Sequence, residues 1–177
     1  MRPNLLITAP PGMGKTTLLT SALANLPPEA ASGFVTRELR QEGRRVGFVV
    51  ETLAGASGVL AHVDARSLYR VGRYRVDVAA FEALALPAID PAHVTAPLIV
   101  IDEIGKMECF SARFRKLVMA AIASDRAVLA TIALRGDRFM EGLKAGPGVT
   151  LLHVTQANRD TLIDQVVSWA REVLERA

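Results

Sequence analysis

The sequence predicts an α/β protein in three layers, with a mostly parallel central sheet flanked by helices and an antiparallel hairpin extension. Two observations indicate this class. Apolar, strand-like runs alternate with helical patterns towards both ends of the chain. Between them, residues 33–76 change to short β-rich runs separated by turn residues. We therefore expect one domain over residues 1–177, with the hairpins of residues 33–76 inserted at the edge of the sheet.

The first predicted elements surround a glycine-containing loop. Residues 5–7 form an apolar run that predicts a buried strand, and residues 15–25 carry leucine and alanine at helical spacing. Pro27 and Pro28 are expected to stop this helix. The runs that follow predict strands joined by short turns, hence hairpins, over residues 33–39, 46–53 and 59–63.

The second half of the chain predicts alternating helices and strands. A helix is expected over residues 78–86, ending at Pro87, and another over about 111–124 with Ser111 as its N-cap. Strands are predicted at 97–103, 127–132 and 149–154, with a loop or short helix over 135–145. Asn158 is expected to open the last helix, whose apolar stripe is typical of core packing.

Composition limits the classes of protein that need to be considered. No run approaches the roughly twenty apolar residues of a membrane span, and residues 1–4 do not resemble a signal peptide. Cys109 is the only cysteine, which excludes an internal disulfide and favours a cytoplasmic location. The net charge is +3. Arginines concentrate in 37–45 and 66–75, but no aromatic pattern accompanies them, so solvated strand edges explain them better than nucleic acid does. A monomer is expected.

The loop between the first strand and the first helix has the pattern of a phosphate-binding loop. Its backbone N–H groups and the helix N-terminus favour an anion. Lys15 is placed to reach the β and γ phosphates, and the Thr16 hydroxyl to bind Mg²⁺. Ala9 replaces the usual first glycine, which leaves the chemistry intact. The residues expected to bind the nucleotide here are Ala9, Pro10, Pro11, Gly12, Met13, Gly14, Lys15, Thr16 and Thr17.

Two adjacent carboxylates end a second buried strand. Asp102 and Glu103 follow the apolar residues 97–101, and the sites of open α/β sheets lie at such carboxyl ends. Asp102 is expected to face the Mg²⁺ held by Thr16, through water. Glu103 is expected to orient or deprotonate an attacking water.

With these motifs the sequence resembles the small P-loop nucleoside-triphosphatases of the cancer-related NTPase type. The resemblance covers nearly the whole chain, and residues 101–108 are its most specific part. It is carried by residues 8–18, 33–40, 43–48, 71–74, 81–82, 101–108 and 154–160. Val49 stands where this family more often has an acidic residue.

The resemblance implies a P-loop NTPase fold and slow, Mg²⁺-dependent hydrolysis of ATP, GTP and other nucleoside triphosphates, with broad base specificity. It also implies an extra strand, residues 127–132, between the strand before the loop and the strand that carries the acids. Thr131 would then lie where related proteins sense the γ phosphate, or it is an ordinary strand threonine.

Further cations and one amide are candidates for the same site. Arg135 and Arg138 follow the strand of Thr131, and either is a candidate arginine finger, with solvated loop charges as the alternative. Lys106 is another cation near Glu103. Asn158 and Arg159 lie where P-loop proteins often hold the base, although Asn158 is equally expected to cap the last helix.

Two alternatives to hydrolysis remain open at this point. One is a nucleoside or nucleotide kinase that uses the hairpins of residues 33–76 as an acceptor lid. The other is a regulatory or nucleic-acid-coupled ATPase whose slow basal rate rises with a partner.

Overall fold

A computed structural model describes residues 3–176. The expectations for residues 1–4 and for the outer limits of the 1–177 unit therefore lie partly outside the described residues. The strands are β1 Asn4–Ala9, β2 Ala31–Gln41, β3 Arg44–Thr52, β4 Ser57–His62, β5 Arg70–Val71, β6 Tyr74–Val76, β7 Leu98–Ile104, β8 Ala127–Ala133 and β9 Val149–His153. The helices are α1 Lys15–Leu23, α2 Val78–Ile89, α3 Ala112–Ala123, α4 Arg138–Lys144 and α5 Arg159–Glu175. Short 3-10 helices cover Pro28–Ala30 and Glu108–Phe110.

The strands form one sheet in the order β5-β6-β4-β3-β2-β7-β8-β1-β9. From β2 to β9 the neighbours are parallel, and from β2 to β5 they are antiparallel. The expected α/β class with a hairpin extension is confirmed. Strand β8 lies between β1 and β7, as the resemblance implied. The ends of β1 and β7 therefore meet at one edge of the sheet with only one strand between them.

Helices cover both faces of the sheet because the strands carry apolar side chains on each. Leu5 and Ile7 of β1 pack in one core with α1 and α5, whereas Leu6 packs in the other. That second core contains residues of α2, α3 and α4, among them Phe81 and Phe114, whose rings meet edge-on at 5.3 Å. These are the three layers that the sequence predicts.

The parallel and antiparallel halves of the sheet meet at β2. Gly33 of β2 is paired with Val100 of β7 and has φ +142. A Cβ at Gly33 would lie 1.9 Å from the Val100 carbonyl oxygen, so this close approach requires glycine. The following residues of β2 reach Thr36, whose backbone N–H points at Asp102. This junction therefore positions the acid at the end of β7.

Two expected helix ends differ from the structure, and one hairpin was not predicted. Helix α2 continues through Pro87 to Ile89, because the buried side chains of Leu86 and Ile89 offset the hydrogen bond that proline cannot donate. Helix α1 ends at Leu23, since Asn25 and Leu26 turn more tightly through i→i−3 hydrogen bonds. The short hairpin β5–β6 adds two strands that the sequence pattern did not resolve.

Nowhere in residues 3–176 is there a helix with the length and apolar character needed to cross a membrane.

Candidate functional site

The loop after β1 is folded for anion binding. Gly12 and Gly14 adopt φ values of 76° and 91°, which glycine reaches without strain. Helix α1 begins at Lys15, and no side chain of the described residues caps its first turn. The N–H groups of that turn are therefore available to phosphate oxygens, where the helix dipole also favours negative charge.

Asp102 is the most buried acid of the site. Its side chain is fully buried at the end of β7 and accepts a hydrogen bond from the Thr16 hydroxyl at 2.9 Å. The Thr131 hydroxyl donates to its other carboxylate oxygen, and the Thr36 backbone N–H lies at 3.3 Å. Burial raises the pKa of Asp102, while the hydrogen bonds from Thr131 and Thr16 oppose that rise. A cation near this carboxylate would favour its charged form.

Glu103 lies beside the phosphate-loop lysine. Its Oε2 is 3.3 Å from the Lys15 ammonium, and about a third of its side chain is exposed. Lys15 also donates to the Ala9 carbonyl oxygen at 3.4 Å. The peptide bond between Asp102 and Glu103 is cis. The loop and the strand end thus bring an ammonium, a hydroxyl and two carboxylates together, as the sequence analysis expected of their positions.

A cavity of about 840 Å³ opens over these groups, and we call it the phosphate-loop cavity. All the predicted loop residues from Ala9 to Thr17 line it, together with Glu103 and Arg135. Its volume lies within the range of about 300–1,000 Å³ that is usual for small-molecule sites. Lys106 also lines it. The ammonium of this lysine forms no ion pair or hydrogen bond with the side chains of residues 3–176.

Of the remaining predicted residues, Arg138 lies away from the site, whereas Arg159 and Thr131 contact residues of it. Arg138 is exposed at the start of α4 and does not line the phosphate-loop cavity. Arg159 crosses the loop, with its Cδ 3.5 Å from the Cβ position of Gly14. Thr131 contacts Asp102 rather than open space, and its side chain is fully buried.

Asn158 occupies the N-cap position of α5, as expected, but its side chain makes no capping hydrogen bond. Its Oδ1 accepts from the Thr155 backbone N–H at 2.8 Å, and its Nδ2 donates to the His153 carbonyl at 2.9 Å. Its side chain therefore closes the turn before α5 rather than bonding to the first turn of the helix.

Glu108 is an acid that the sequence analysis did not single out. It lies in the 3-10 turn after β7 and is 4% exposed. A Cβ at Gly105 would lie 2.8 Å from Glu103 Oε1 and 2.9 Å from Glu108 Oε2, so both carboxyls approach this glycine closely. Burial, and then the charge of Glu103, raise the pKa of Glu108 to about 8. A signal was present in sequence, since Glu108 closes the most specific segment of the resemblance, but its burial was not visible there.

The donor atoms at the site fit Mg²⁺. They are the hydroxyl and carboxylate oxygens of Thr16 and Asp102, and Mg²⁺ prefers oxygen ligands and completes its shell with water and phosphate. Within residues 3–176 no group of three or more His, Cys, Asp or Glu side chains could hold a metal ion by itself. A metal here would therefore need phosphate oxygens and water among its ligands.

Comparisons with known proteins agree with this geometry. A family model described as NTPase matches residues 4–167. Nucleoside-triphosphatase THEP1 of Thermotoga sp. strain RQ2 is 40% identical over 165 residues, which span 93% of this chain and 94% of the relative. The crystal structure of THEP1 from Aquifex aeolicus superposes with a TM-score of 0.85 at 36% identity, over 93% of this chain and 97% of that one.

A human relative is also similar in structure. The solution structure of a human cancer-related nucleoside triphosphatase has a TM-score of 0.79 at 36% identity, over 95% of this chain and 96% of that one. The family model matches most of this chain, and the similarity to the relatives extends over nearly their full length. This chain therefore belongs to the family of small P-loop nucleoside-triphosphatases.

Proposed function

We propose that this protein hydrolyses ATP, GTP and other nucleoside triphosphates to the diphosphate and phosphate, slowly and with Mg²⁺. The observation that carries the proposal is that Lys15, Thr16 and Glu103 line one cavity, with the buried Asp102 hydrogen-bonded to Thr16 directly behind it. Phosphoanhydride hydrolysis needs positioning and neutralisation of charge more than covalent help from the protein. These groups supply both.

Lys15 and the N-terminus of α1 would hold the phosphate oxygens. The ammonium of Lys15 contacts Glu103 and the Ala9 carbonyl, and a triphosphate oxygen would compete with both for it. Thr16 and Asp102 would hold Mg²⁺, which when bound neutralises charge on the β and γ phosphates.

Glu103 would accept the proton of the attacking water. The water oxygen forms a bond to the γ phosphorus, the bond from that phosphorus to the bridging oxygen breaks, and the diphosphate leaves with that electron pair. Glu103 is half-buried and lines the cavity, which suits a group that must meet both water and substrate. Thr131 would act by holding Asp102 rather than by sensing the phosphate itself.

Broad base specificity has support in the last helix. Each polar atom of the Asn158 side chain makes a hydrogen bond to main chain, which fixes the amide in the turn before α5 and disfavours its use in reading a base. Arg159 lies over the loop near Gly14 and would contact phosphate or base by charge and stacking, which discriminates little between bases.

The same proposal includes an arginine finger, a single-domain monomer and a cytoplasmic location. Arg135, in the wall of the cavity, is the better placed of the two candidate arginines, and Arg138 would need α4 to move. The protein would act as one domain and as a monomer. A single buried cysteine, Cys109, fits a cytoplasmic location.

Phosphate release from ATP, GTP, CTP and UTP, each with Mg²⁺ or with EDTA, tests the function. We expect release from all four only with Mg²⁺, and a loss of about 10²-fold or more in Lys15→Ala. The matched control is Lys116→Ala, an exposed lysine of α3, which should retain the rate. Absence of Mg²⁺-dependent release from all four nucleotides would refute the proposal.

A further inference from the structure

Glu103 stands between two spaces. Beside the phosphate-loop cavity lies a second cavity of about 260 Å³, and the two share Glu103, Thr36 and Phe48 in their walls. None of the residues 9–17 of the phosphate loop lines the second cavity. Glu103 therefore faces both cavities.

The walls of the second cavity are those of a small-molecule site. Most are apolar, and they include Leu60, Val71 and Met107. A few polar groups converge on the same space, namely the carboxyls of Glu103 and Glu108 and the ammonium of Lys106. Sites for organic ligands typically combine apolar walls with a small number of placed polar groups. Water alone, as the attacking group, needs no such apolar space.

The size and charge of the second cavity restrict the class of molecule that can bind there. The volume is just below the usual range of about 300–1,000 Å³ for ligand pockets, which favours a small molecule over a nucleotide or a nucleic-acid strand. The Glu103 carboxylate balances the Lys106 ammonium, so the cavity offers no excess positive charge to an anion. Carboxylate oxygens accept hydrogen bonds from hydroxyl groups. A neutral, hydroxyl-bearing ring molecule, of the size of a nucleoside or a monosaccharide, fits these conditions.

We propose that the second cavity is a phosphoryl-acceptor site for such an alcohol, so that Glu103 can activate an alcohol as well as water. This rests on the proposed function, because the donor is the triphosphate of the same site. The alcohol oxygen forms a bond to the γ phosphorus, its proton passes to Glu103, and the bond from that phosphorus to the bridging oxygen breaks. The products are a phosphate monoester and the nucleoside diphosphate.

Glu108 would orient the acceptor. Its carboxyl and that of Glu103 both approach Gly105 and both line the second cavity, so one acceptor molecule can contact the two acids. The raised pKa of Glu108 keeps a proton on it at neutral pH, which allows it to donate to the acceptor while Glu103 accepts. The two acids would therefore have different roles on one substrate.

The test uses ATP labelled with radioactive phosphorus at the γ position, Mg²⁺ and one of four acceptors at millimolar concentration: adenosine, uridine, ribose or glucose. Thin-layer chromatography separates labelled monoester from labelled phosphate. We expect a labelled monoester with at least one acceptor. Whether a nucleoside or a sugar is labelled shows which of the two classes of alcohol the site accepts. Phosphate release without monoester from any of the four would overturn the acceptor site. Absence of phosphate release as well would instead refute the proposed function.

Filling the second cavity provides the matched comparison. Val71 lines this cavity but not the phosphate-loop cavity, whereas Val59 lines neither and is 43% exposed. We expect Val71→Trp to lower the ratio of monoester to free phosphate by about tenfold or more, and Val59→Trp to leave it unchanged. Val71→Phe replaces Val71→Trp if circular dichroism shows that the larger side chain prevents folding. An unchanged ratio in the folded Val71 variant would place the acceptor elsewhere and overturn the inference.

Discussion

The hydroxyl of Thr16 donates a hydrogen bond to the buried carboxylate of Asp102, with 2.9 Å between the two oxygens. This contact joins the first turn of α1 to the end of β7 and crosses the position of β8. Thr131 of β8 holds the other oxygen of the same carboxylate. Three separate elements are therefore fixed around one acid, at the place where the metal is proposed to bind.

Removing the Thr131 hydroxyl should loosen that acid. We expect Thr131→Val to lower the free energy of unfolding by about 1–3 kcal/mol, because the fully buried Asp102 loses one of its donors. It should also raise the Mg²⁺ concentration needed for half-maximal hydrolysis. Urea unfolding and a Mg²⁺ titration of the rate measure the two effects.

Thr131→Ser keeps the hydroxyl and is the control, which should stay close to wild type in both measurements. If Thr131→Val slows hydrolysis but leaves stability and the Mg²⁺ requirement unaltered, Thr131 senses the phosphate rather than holding Asp102.

The Glu103 carboxylate should matter for turnover more than for binding. We expect Glu103→Gln to lower kcat by about 10²–10⁴, the range for loss of a general base. Nucleotide should bind at least as tightly, because Lys15 loses its ionic partner at 3.3 Å and is freer to contact phosphate. Single-turnover hydrolysis and calorimetry with a non-hydrolysable triphosphate separate the two quantities.

Glu29→Gln, in the exposed 3-10 turn before β2, is the control and should behave as wild type. A Glu103→Gln enzyme with a normal kcat would remove Glu103 from the role of base.

The convergence of these groups could be predicted from the sequence because it follows from topology. Residues 9–17 and Asp102 each come directly after an apolar strand, and the carboxyl ends of parallel strands share one edge. Side-chain pairing could not be predicted in the same way. Asn158 is a good helix cap by residue type, yet its amide bonds to the turn before the helix, which depends on how β9 leads into α5.

The burial of Glu108 was equally hidden. A glutamate three residues after a glycine reads as a surface residue. Only the 3-10 turn after β7 points it inward, against Gly105 and towards Glu103. The continuation of α2 through Pro87 has a similar cause, since core packing outweighs the local preference of proline.

The two arginines after β8 should differ in their effect on the rate. Arg135 lines the phosphate-loop cavity and Arg138 lies outside it, and neither pairs with another group of residues 3–176. We expect Arg135→Ala to lower kcat by about tenfold or more, with a small change in affinity, because a cation near the γ phosphate acts mainly in the transition state.

Arg138→Ala is the matched control and should change kcat less than twofold, as estimated for an exposed charge outside the site. The opposite result, with Arg138→Ala slow and Arg135→Ala normal, would mean that α4 moves onto the nucleotide. Steady-state kinetics of both variants decides the matter.

Gly33 should be among the least replaceable residues of the fold. We expect Gly33→Ala to lower the free energy of unfolding by about 2–5 kcal/mol, because its Cβ would lie 1.9 Å from the Val100 carbonyl oxygen. Separation of β2 from β7 should also move Thr36 away from Asp102 and weaken Mg²⁺ binding.

Gly55→Ala separates the clash from the backbone strain. Gly55 also has a positive φ, 95°, but nothing lies within 4 Å of its Cβ position. Gly55→Ala should therefore lower the free energy of unfolding by only about 1 kcal/mol. Equal losses in the two variants, measured by urea unfolding, would mean that the Gly33–Val100 contact is not the cause.

The buried carboxyl of Glu108 should make the protein less stable as the pH rises. Its pKa is about 8 in the folded protein against 4.5 for an exposed glutamate, so the folded state binds the extra proton between these values. Stability contributed by that proton is fully present below about pH 4.5 and is lost as the pH rises towards about 8. We expect Glu108→Gln, which stays neutral, to be more stable than wild type by a few kcal/mol near pH 8 and close to it near pH 5. Urea unfolding at several pH values, without metal or nucleotide, gives both curves.

Glu42→Gln, at the exposed turn of the β2–β3 hairpin, controls for the loss of a surface charge, and its stability should follow the same pH dependence as wild type. Parallel curves for wild type and Glu108→Gln would show that Glu108 is ionised in the folded protein, and would remove the neutral donor that the acceptor site requires.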